Sequence, residues 1–466
     1  MNKTHVRIAS GLGFYGDSPL PIRASIERGE VDFVVSDHLA ELTLAIVQKD
    51  RQRDPTQGYT KDIIPLLSAL WPAMAERGVR LVCNAGGLNP AGAGEAVRAL
   101  MAAKGWSARI AVVSGDDVLA QLQAAPEQFA HLLDGQAMGD VAERLVFANA
   151  YLGAGPIVQA LDQGADIVIT GRVADAALFL APAIHALGWK RPGEPGFEAA
   201  DWDRYAQGLL MGHLLECSGQ GAGGNFGAQG AWRAVPDLAH TGYPIAEVHG
   251  DGRFMVTKAP GTGGLVNFDT VRQQMLYEVH NPHAYLSPDV SLDMGEVTLD
   301  DEGEHRVWVS GARGSPPPET LKVVGGYSDG FKAEITWGFS WPDAWDRAQQ
   351  FVHTIRTQLA ELKVAHEELF VEHPGLNSAH GALAPMPAPE ALNELNEVWT
   401  RVVMRTPHKA AAAQFGRLLP WQGLSGPAYT CGIQGLNSVS QLLGIWPTRI
   451  ARDAVQAQLI WVEVTA

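Results

Sequence analysis

The chain has 466 residues, of which 46% are hydrophobic and 18% charged, and it carries a formal net charge of −16. This composition describes a folded chain long enough for two domains, and its acidity argues against a nucleic-acid partner, whose phosphates need clustered Lys and Arg. It has no apolar run of the roughly 18 residues that read as a membrane span. MNKTHVRIAS lacks a signal-peptide core, and three scattered cysteines (83, 217, 431) make no disulfide framework, so a cytoplasmic location is expected.

In chain order, short Val/Ile-rich segments at 6–10, 31–36, 79–84, 109–114 and 165–170 predict strands. Helical patterns fall between them at 62–76, with apolar residues at 63, 66, 67 and 70, and at 94–104. Such alternation predicts βαβ units, a mainly parallel sheet and ligand binding at the carboxyl ends of its strands. The first domain is accordingly an α/β unit over 1–235. Its strand tips read GLGFYGD (11–17), SDHLAE (36–41), NAGGLNP (84–90), SGDD (114–117) and TGRVAD (170–175). They offer Tyr15, Asp17 and Glu41 as acids or bases, and Asn84, Asn89, Arg172 and Asp175 as ligand-binding groups.

Gly11, Gly13 and Gly16 satisfy G-x-G-x-x-G after a strand. A dinucleotide site is not the favoured reading. Asp17 would set a negative charge at the pyrophosphate, Pro19 and Pro21 stand where the phosphate-binding helix should begin, and 20–30 shows little apolar stripe. The glycines instead allow a tight turn beside a small ligand.

The segment MGHLLECSGQGAGGNFGAQG (211–230) places His213 and Glu216 on one helical face, with Cys217 close by. The glycines after it cannot be helix interior, and Gly223, Gly224 and Asn225 are expected to offer bare N–H groups to an anion. The pair His38 and Glu41 repeats the H-x-x-E spacing of His213 and Glu216. Two such pairs could supply four N/O ligands to a divalent metal, but no metal residues are assigned and no cofactor is predicted.

The remainder, 236–466, is expected to be an α+β domain, with the boundary near 232–245. Strands are predicted at 253–257, 306–310, 332–337 and 455–464, and helices at 342–364 and 389–404. KAPGTGGLVN (258–267) places Lys258, Gly263 and Gly264 ahead of a helix N-terminus, a ready anion site. NPHAYLSPDV (281–290) sets Tyr285 and Asp289 in a proline-bracketed loop.

GLGFYGDS, SDHLAELTL, NAGGLNP, ITGRVADAAL, GHLLECSGQGAGGNF, TKAPGTGGLVNFDTVRQQMLYEVHNPHAYLSPDV and GARGSPPPETLKV together resemble the acyclic terpene utilisation protein A family, over about 6–345. The chain departs from the family pattern at Ala222, where threonine is usual. The resemblance implies a place beside acyl-CoA dehydrogenation, carboxylation and hydration in terpenoid and branched-acid catabolism. It also implies a further small C-terminal domain with an A-R-S-G-D-K-G type motif, which this sequence does not contain, so a small partner subunit is an expected supplier. The favoured reading is an enzyme, lyase-like, that abstracts a proton from a small carboxylate or CoA thioester, with Glu41, His213, Glu216, Asp17 and Tyr15 as acids and bases. A nicotinamide-dependent oxidoreductase and a non-catalytic acyl-CoA-binding or scaffolding subunit are the alternatives. A homo-oligomer is expected.

Overall fold

A computed structural model describes residues 4–464. The strands are β1 (His5–Ser10), β2 (Phe33–Ser36), β3 (Arg80–Cys83), β4 (Ile110–Ser114), β5 (Leu145–Ala150), β6 (Ile167–Thr170), β7 (Pro244–His249), β8 (Phe254–Lys258), β9 (Tyr285–Leu286), β10 (Ser291–Asp293), β11 (Thr298–Gly303), β12 (Arg306–Ser310), β13 (Arg313–Ser315), β14 (Thr320–Ser340), β15 (Glu368–Glu372), β16 (Glu397–Thr406), β17 (Thr430–Ala451) and β18 (Gln458–Val462). Two compact units result: residues up to Gly325 together with those from Ile445 onward, and Gly326–Gly444 inserted between them.

The first unit is built on a ten-stranded sheet ordered β11-β12-β8-β7-β1-β2-β3-β6-β4-β18. Its centre, β1-β2-β3-β6-β4, is parallel. FVVS of β2 and IVIT of β6 are buried at every residue, as strands covered on both faces must be. Successive side chains point to opposite faces. Leu81, Cys83, Ile167 and Ile169 therefore pack in one core with the helices Ile63–Arg77 and Pro90–Lys104. Val82 and Val168 pack in the other, with the helices Gly155–Asp162, Asp175–Leu187 and Ala199–Leu215. β3 and β6 are neighbours, yet the helix after β3 covers one face and the helix after β6 the other. Their chains therefore part above the sheet, which makes this a topological switch point.

The expected boundary near 232–245 does not divide the units. β7, β8, β12 and β11 continue the first sheet in antiparallel fashion, and β18, expected in a second domain, pairs with β4 at the other edge. Two local expectations also change. Residues 20–30 do form a helix, Leu20–Arg28, whose apolar side is the short set Ile22, Ala24 and Ile26. The helix expected over 389–404 stops at Asn393, because EVWTRVVMRT alternates buried and half-buried residues and forms β16.

In the inserted unit the order is β14, helix Ala344–Glu361, β15, β16, helix Lys409–Ser425, β17. The sheet is ordered β15-β16-β14-β17. Counted within the unit this is a βαββαβ chain with strand order 2-3-1-4, the ferredoxin-like arrangement. Trp337, Phe339, Phe351, Ile355, Phe415 and Leu419 form its core between sheet and helices.

Candidate active site

The tips of β2, β3 and β6 meet through named bonds. Asn84 accepts the His38 N–H on Oδ1 at 2.6 Å and donates from Nδ2 to the Asp37 carboxylate. Asp37 Oδ1 also accepts the Leu39 N–H at 3.1 Å. Arg172, 1% exposed, donates from Nη1 to the Leu39 carbonyl at 2.9 Å and from Nη2 to Asp175. Its guanidinium carbon lies 4.1 Å from the centroid of the Tyr151 ring, whose hydroxyl donates to Glu41 Oε1 at 2.7 Å. Lys322 approaches the same ring and donates to the same carboxylate oxygen at 3.3 Å. Buried Asp116 fixes the backbone here by accepting the Arg172 N–H at 2.8 Å and the Asn149 side chain at 2.7 Å.

The charges are unequal. Asp37, Asp175 and Glu216 lie within electrostatic reach of one another, and Arg172 reaches Asp37 and Asp175. Burial, reinforced by the Glu216 charge, raises Asp37 to about 6 although Arg172 and Asn84 oppose the rise. Burial also lifts Asp175 well above the carboxylate range, against the pull of Arg172. Glu41 goes the other way. Burial would raise it, but the Tyr151 hydroxyl and the Lys322 charge outweigh burial and bring it to about 2. The expected base Glu41 is therefore the most firmly ionised member of the set. Asp37, which lies in the SDHLAE tip but was not among the expected site residues, is the one poised near neutrality.

His213 sits in the last turn of the helix Ala199–Leu215, 1% exposed, with Nδ1 3.1 Å from Glu216 Oε1 and Nε2 3.2 Å from the Met275 carbonyl. Burial works against a charged imidazole, but the Glu216 bond and charge and the Met275 carbonyl together hold its pKa above the usual value. Glu216 carries this pair to the Asp37–Asp175 cluster. Tyr285 packs on the His213 ring at 5.4 Å. His38 and Glu41 do not form a matching pair. His38 Nδ1 faces Asp62 at 3.0 Å and Thr60 at 3.2 Å, whereas Glu41 faces Tyr151 and Lys322.

The other expected site residues bond to groups of the chain outside this cluster. Asp17 receives the Tyr243 hydroxyl at 2.6 Å and the Gly13 N–H at 3.1 Å, and the Tyr15 hydroxyl accepts the Lys61 N–H at 3.4 Å. Asn89 caps the helix Pro90–Lys104 through the Gly92 N–H and donates to the carbonyls of Thr56 and Gln57. Lys258 folds onto its own loop, with Nζ 2.6 Å from the Thr262 carbonyl. The glycines expected to cradle an anion donate their N–H groups to backbone instead: Gly223 to Gln220, Gly224 to Gly219, Gly263 to His240 and Gly264 to Pro236. Asn225 lies in the same fold of loops, donating to the Gln220 side chain and accepting from Gln273. Two glycine loops pressed together need bare Cα atoms. A Cβ on Gly263 would lie 2.0 Å from the Asp237 carbonyl oxygen and one on Gly264 2.6 Å from that of Ala222. The first loop is closed for the same reason, since a Cβ on Gly13 would lie 2.9 Å from Ser218 Oγ.

Several polar atoms at the tips are buried without a hydrogen-bond partner: His38 Nε2, Arg172 Nε, Glu216 Oε2 and Asn149 Oδ1. Each such atom costs about 1–3 kcal/mol. All four belong to residues of the cluster just described. Sequence patterning missed Asp116, Asn149, Tyr151 and Lys322. The first lies in the tip motif SGDD, while Asn149 lies in β5 and Tyr151 just after it, and β5, which pairs outside the large sheet, was not predicted.

Fold and side-chain cluster together define an α/β protein with buried titratable groups at a switch point of its sheet. The chain belongs to the acyclic terpene utilisation family: the family model, acyclic terpene utilisation family protein AtuA, matches residues 6–461. The match takes in the inserted unit and β18, beyond the 6–345 over which the motifs were legible. No curated protein and no solved structure matches the chain. Among the described residues no helix is long and apolar enough to cross a membrane.

Proposed function

We propose that the chain is an enzyme of acyl catabolism that abstracts a proton next to a carbonyl, with Asp37 as the base. One observation carries this reading: the Asp37 carboxyl is buried at the switch point and raised to about 6, so its two protonation states are both reached near neutrality. Asn84 and the Leu39 N–H both bond Oδ1, which orients the group and leaves Oδ2 to move the proton. The surrounding charge favours one substrate form. The Arg172 guanidinium is already held by Asp175 and the Leu39 carbonyl, so it is not free to pair with a substrate carboxylate. A thioester carbonyl brings no charge, and the unpartnered Arg172 Nε–H can donate to its oxygen as an enolate develops. His213, coupled through Glu216, is the second proton carrier, suited to loss or addition of water at the neighbouring carbon.

The test is solvent exchange. Incubated in deuterated water with branched acyl-CoA thioesters, the protein should place deuterium at the carbon next to the carbonyl, read by mass spectrometry. Asp37→Asn should slow this by about 10²–10⁴. Exchange that Asp37→Asn leaves unchanged would remove Asp37 as the base. Thioester binding without exchange would favour the acyl-CoA-binding subunit instead.

A further inference from the structure

The segment NPHAYLSPDV folds as a tied hairpin that sets Tyr285 against His213. Tyr285 and Leu286 form β9, with Tyr285 opposite Leu292 of β10. Ser287 closes the turn: its N–H donates to the Val290 carbonyl at 3.2 Å, and its hydroxyl accepts the Asp289 N–H at 3.1 Å. Buried Asp289 fastens the turn to the Ala154 N–H. The Tyr285 ring is thereby held 5.4 Å from the His213 ring, centroid to centroid. Its hydroxyl has no hydrogen-bond partner among the described residues. Packing on His213 asks only for the ring, so phenylalanine would serve it.

An acceptor beside it lacks a donor. Glu216 is 7% exposed; its Oε1 faces His213 Nδ1 at 3.1 Å, and its buried Oε2 has no partner. Glu216 is also the charge that acts most strongly on the Tyr285 phenol. Burial, and then that charge, push the phenol well above its usual range and keep it a donor. Tyr285 is half-buried, whereas Asp37, Arg172, His213 and Glu216 are buried, so a group from solvent can come to its hydroxyl.

A ligand group that satisfies both must accept one hydrogen bond and donate another. A carbonyl or carboxylate only accepts and an ammonium only donates, whereas an alcohol does both through one atom. We propose that Tyr285 and Glu216 together seat a hydroxyl of the substrate, with the Tyr285 O–H donating to it and Glu216 Oε2 accepting from it. The inference rests on the thioester reading above and narrows its substrate class to thioesters with a hydroxyl on the carbon beside the one that loses its proton. Tyr285 is then a specificity-determining residue. A site built to bond a hydroxyl rejects the analogue that lacks it, because its own polar groups are left unpaired.

The experiment measures binding to the full chain by titration calorimetry, with an α,α-dimethyl-β-hydroxyacyl-CoA and the matching α,α-dimethylacyl-CoA. Neither has a proton next to the carbonyl to lose, so affinity is read without turnover. The hydroxylated thioester should bind at least about tenfold more tightly. Tyr285→Phe keeps the ring on His213 and should abolish that preference while leaving the affinity for the plain thioester unchanged. Equal affinities in the natural chain, a preference that survives Tyr285→Phe, or binding of neither compound would each overturn the proposal. The base reading fails separately. A hydroxyl preference without deuterium exchange would strike Asp37 alone, and exchange without the preference would strike the hydroxyl seat alone.

Discussion

The Arg172 guanidinium lies flat against Tyr151, its carbon 4.1 Å from the ring centroid, while its two terminal nitrogens hold Asp175 and the Leu39 carbonyl. One residue thereby joins the tip of β6, the tip of β2 and the loop after β5. A planar fork is needed for that, and lysine cannot supply it. Arg172→Gln should cost about 1–3 kcal/mol in a urea titration at neutral pH, because the Leu39 carbonyl and Asp175 lose their buried donor. Arg172→Lys should recover part of the stability and none of the stacking. Equal stability of Arg172→Gln and the natural chain would show that this junction does not hold the tips.

Asp116 and Asp289 are raised by burial to about 6 from 3.8. A folded state that holds protons more tightly than the unfolded one gains from them below the unfolded pKa and loses that gain as pH rises through the folded value. These two groups therefore make the chain less stable between about pH 4 and about pH 6 as pH increases. Asp289→Asn keeps an acceptor for the Ala154 N–H, bonded now at 2.8 Å, and cannot ionise. Its melting temperature should fall less than that of the natural chain over the same interval. A steeper fall would contradict the assignment.

Glu41 shows the opposite sign. It is held near 2, below its ordinary 4.5, so its contribution is present above 4.5 and is lost as pH falls toward 2. Tyr151→Phe removes the hydroxyl and leaves Lys322. The acid limb of the stability profile should become shallower, and at neutral pH the loss should be about 1 kcal/mol, as for one hydrogen bond. An unchanged acid limb would mean that the hydroxyl does not hold Glu41.

Glu216→Gln tests the His213 pair. The carboxylate keeps the imidazole charged above its usual 6.5 despite burial. With glutamine the imidazole resonances in an NMR titration should move at lower pH than in the natural chain. Because a raised histidine pKa stabilises only below that pKa, the variant should lose stability in mildly acidic solution and little in alkaline solution. A titration that stays in place would place the cause elsewhere.

Gly13→Ala probes the closed first loop. Its new Cβ would lie 2.9 Å from Ser218 Oγ and 3.0 Å from the Cys217 carbonyl carbon, so about 1–3 kcal/mol should be lost on thermal unfolding. A loop that held a nucleotide would tolerate the methyl group in the free protein and fail only in binding. Full stability of the variant together with a melting shift on adding NAD would reinstate the nicotinamide alternative.

Much of this protein was legible in its sequence. The five central strands lie where Val/Ile runs between helical patterns put them, because a strand buried on both faces has to be apolar throughout. The same alternation placed Asn84, Arg172 and Asp175 at strand tips. It could not say that β3 and β6 become neighbours, since their tips are 86 residues apart in the chain (Asn84 to Thr170) and only the crossover through β4 and β5 brings them together. Sequence spacing also could not separate the two H-x-x-E pairs. His213 and Glu216 stay on one helix end and bond, while His38 belongs to the loop before the helix Glu41–Arg53 and turns to Asp62. Nor could it tell glycines that bind a ligand from glycines that let backbone meet backbone. That depends on what stands opposite each Cα: Ser218 for Gly13, Asp237 for Gly263 and Ala222 for Gly264. Burial is the last quantity the sequence could not supply. Asp37 and Glu41, four residues apart, differ in acidity because one is sealed among carboxyls and the other meets Tyr151 and Lys322.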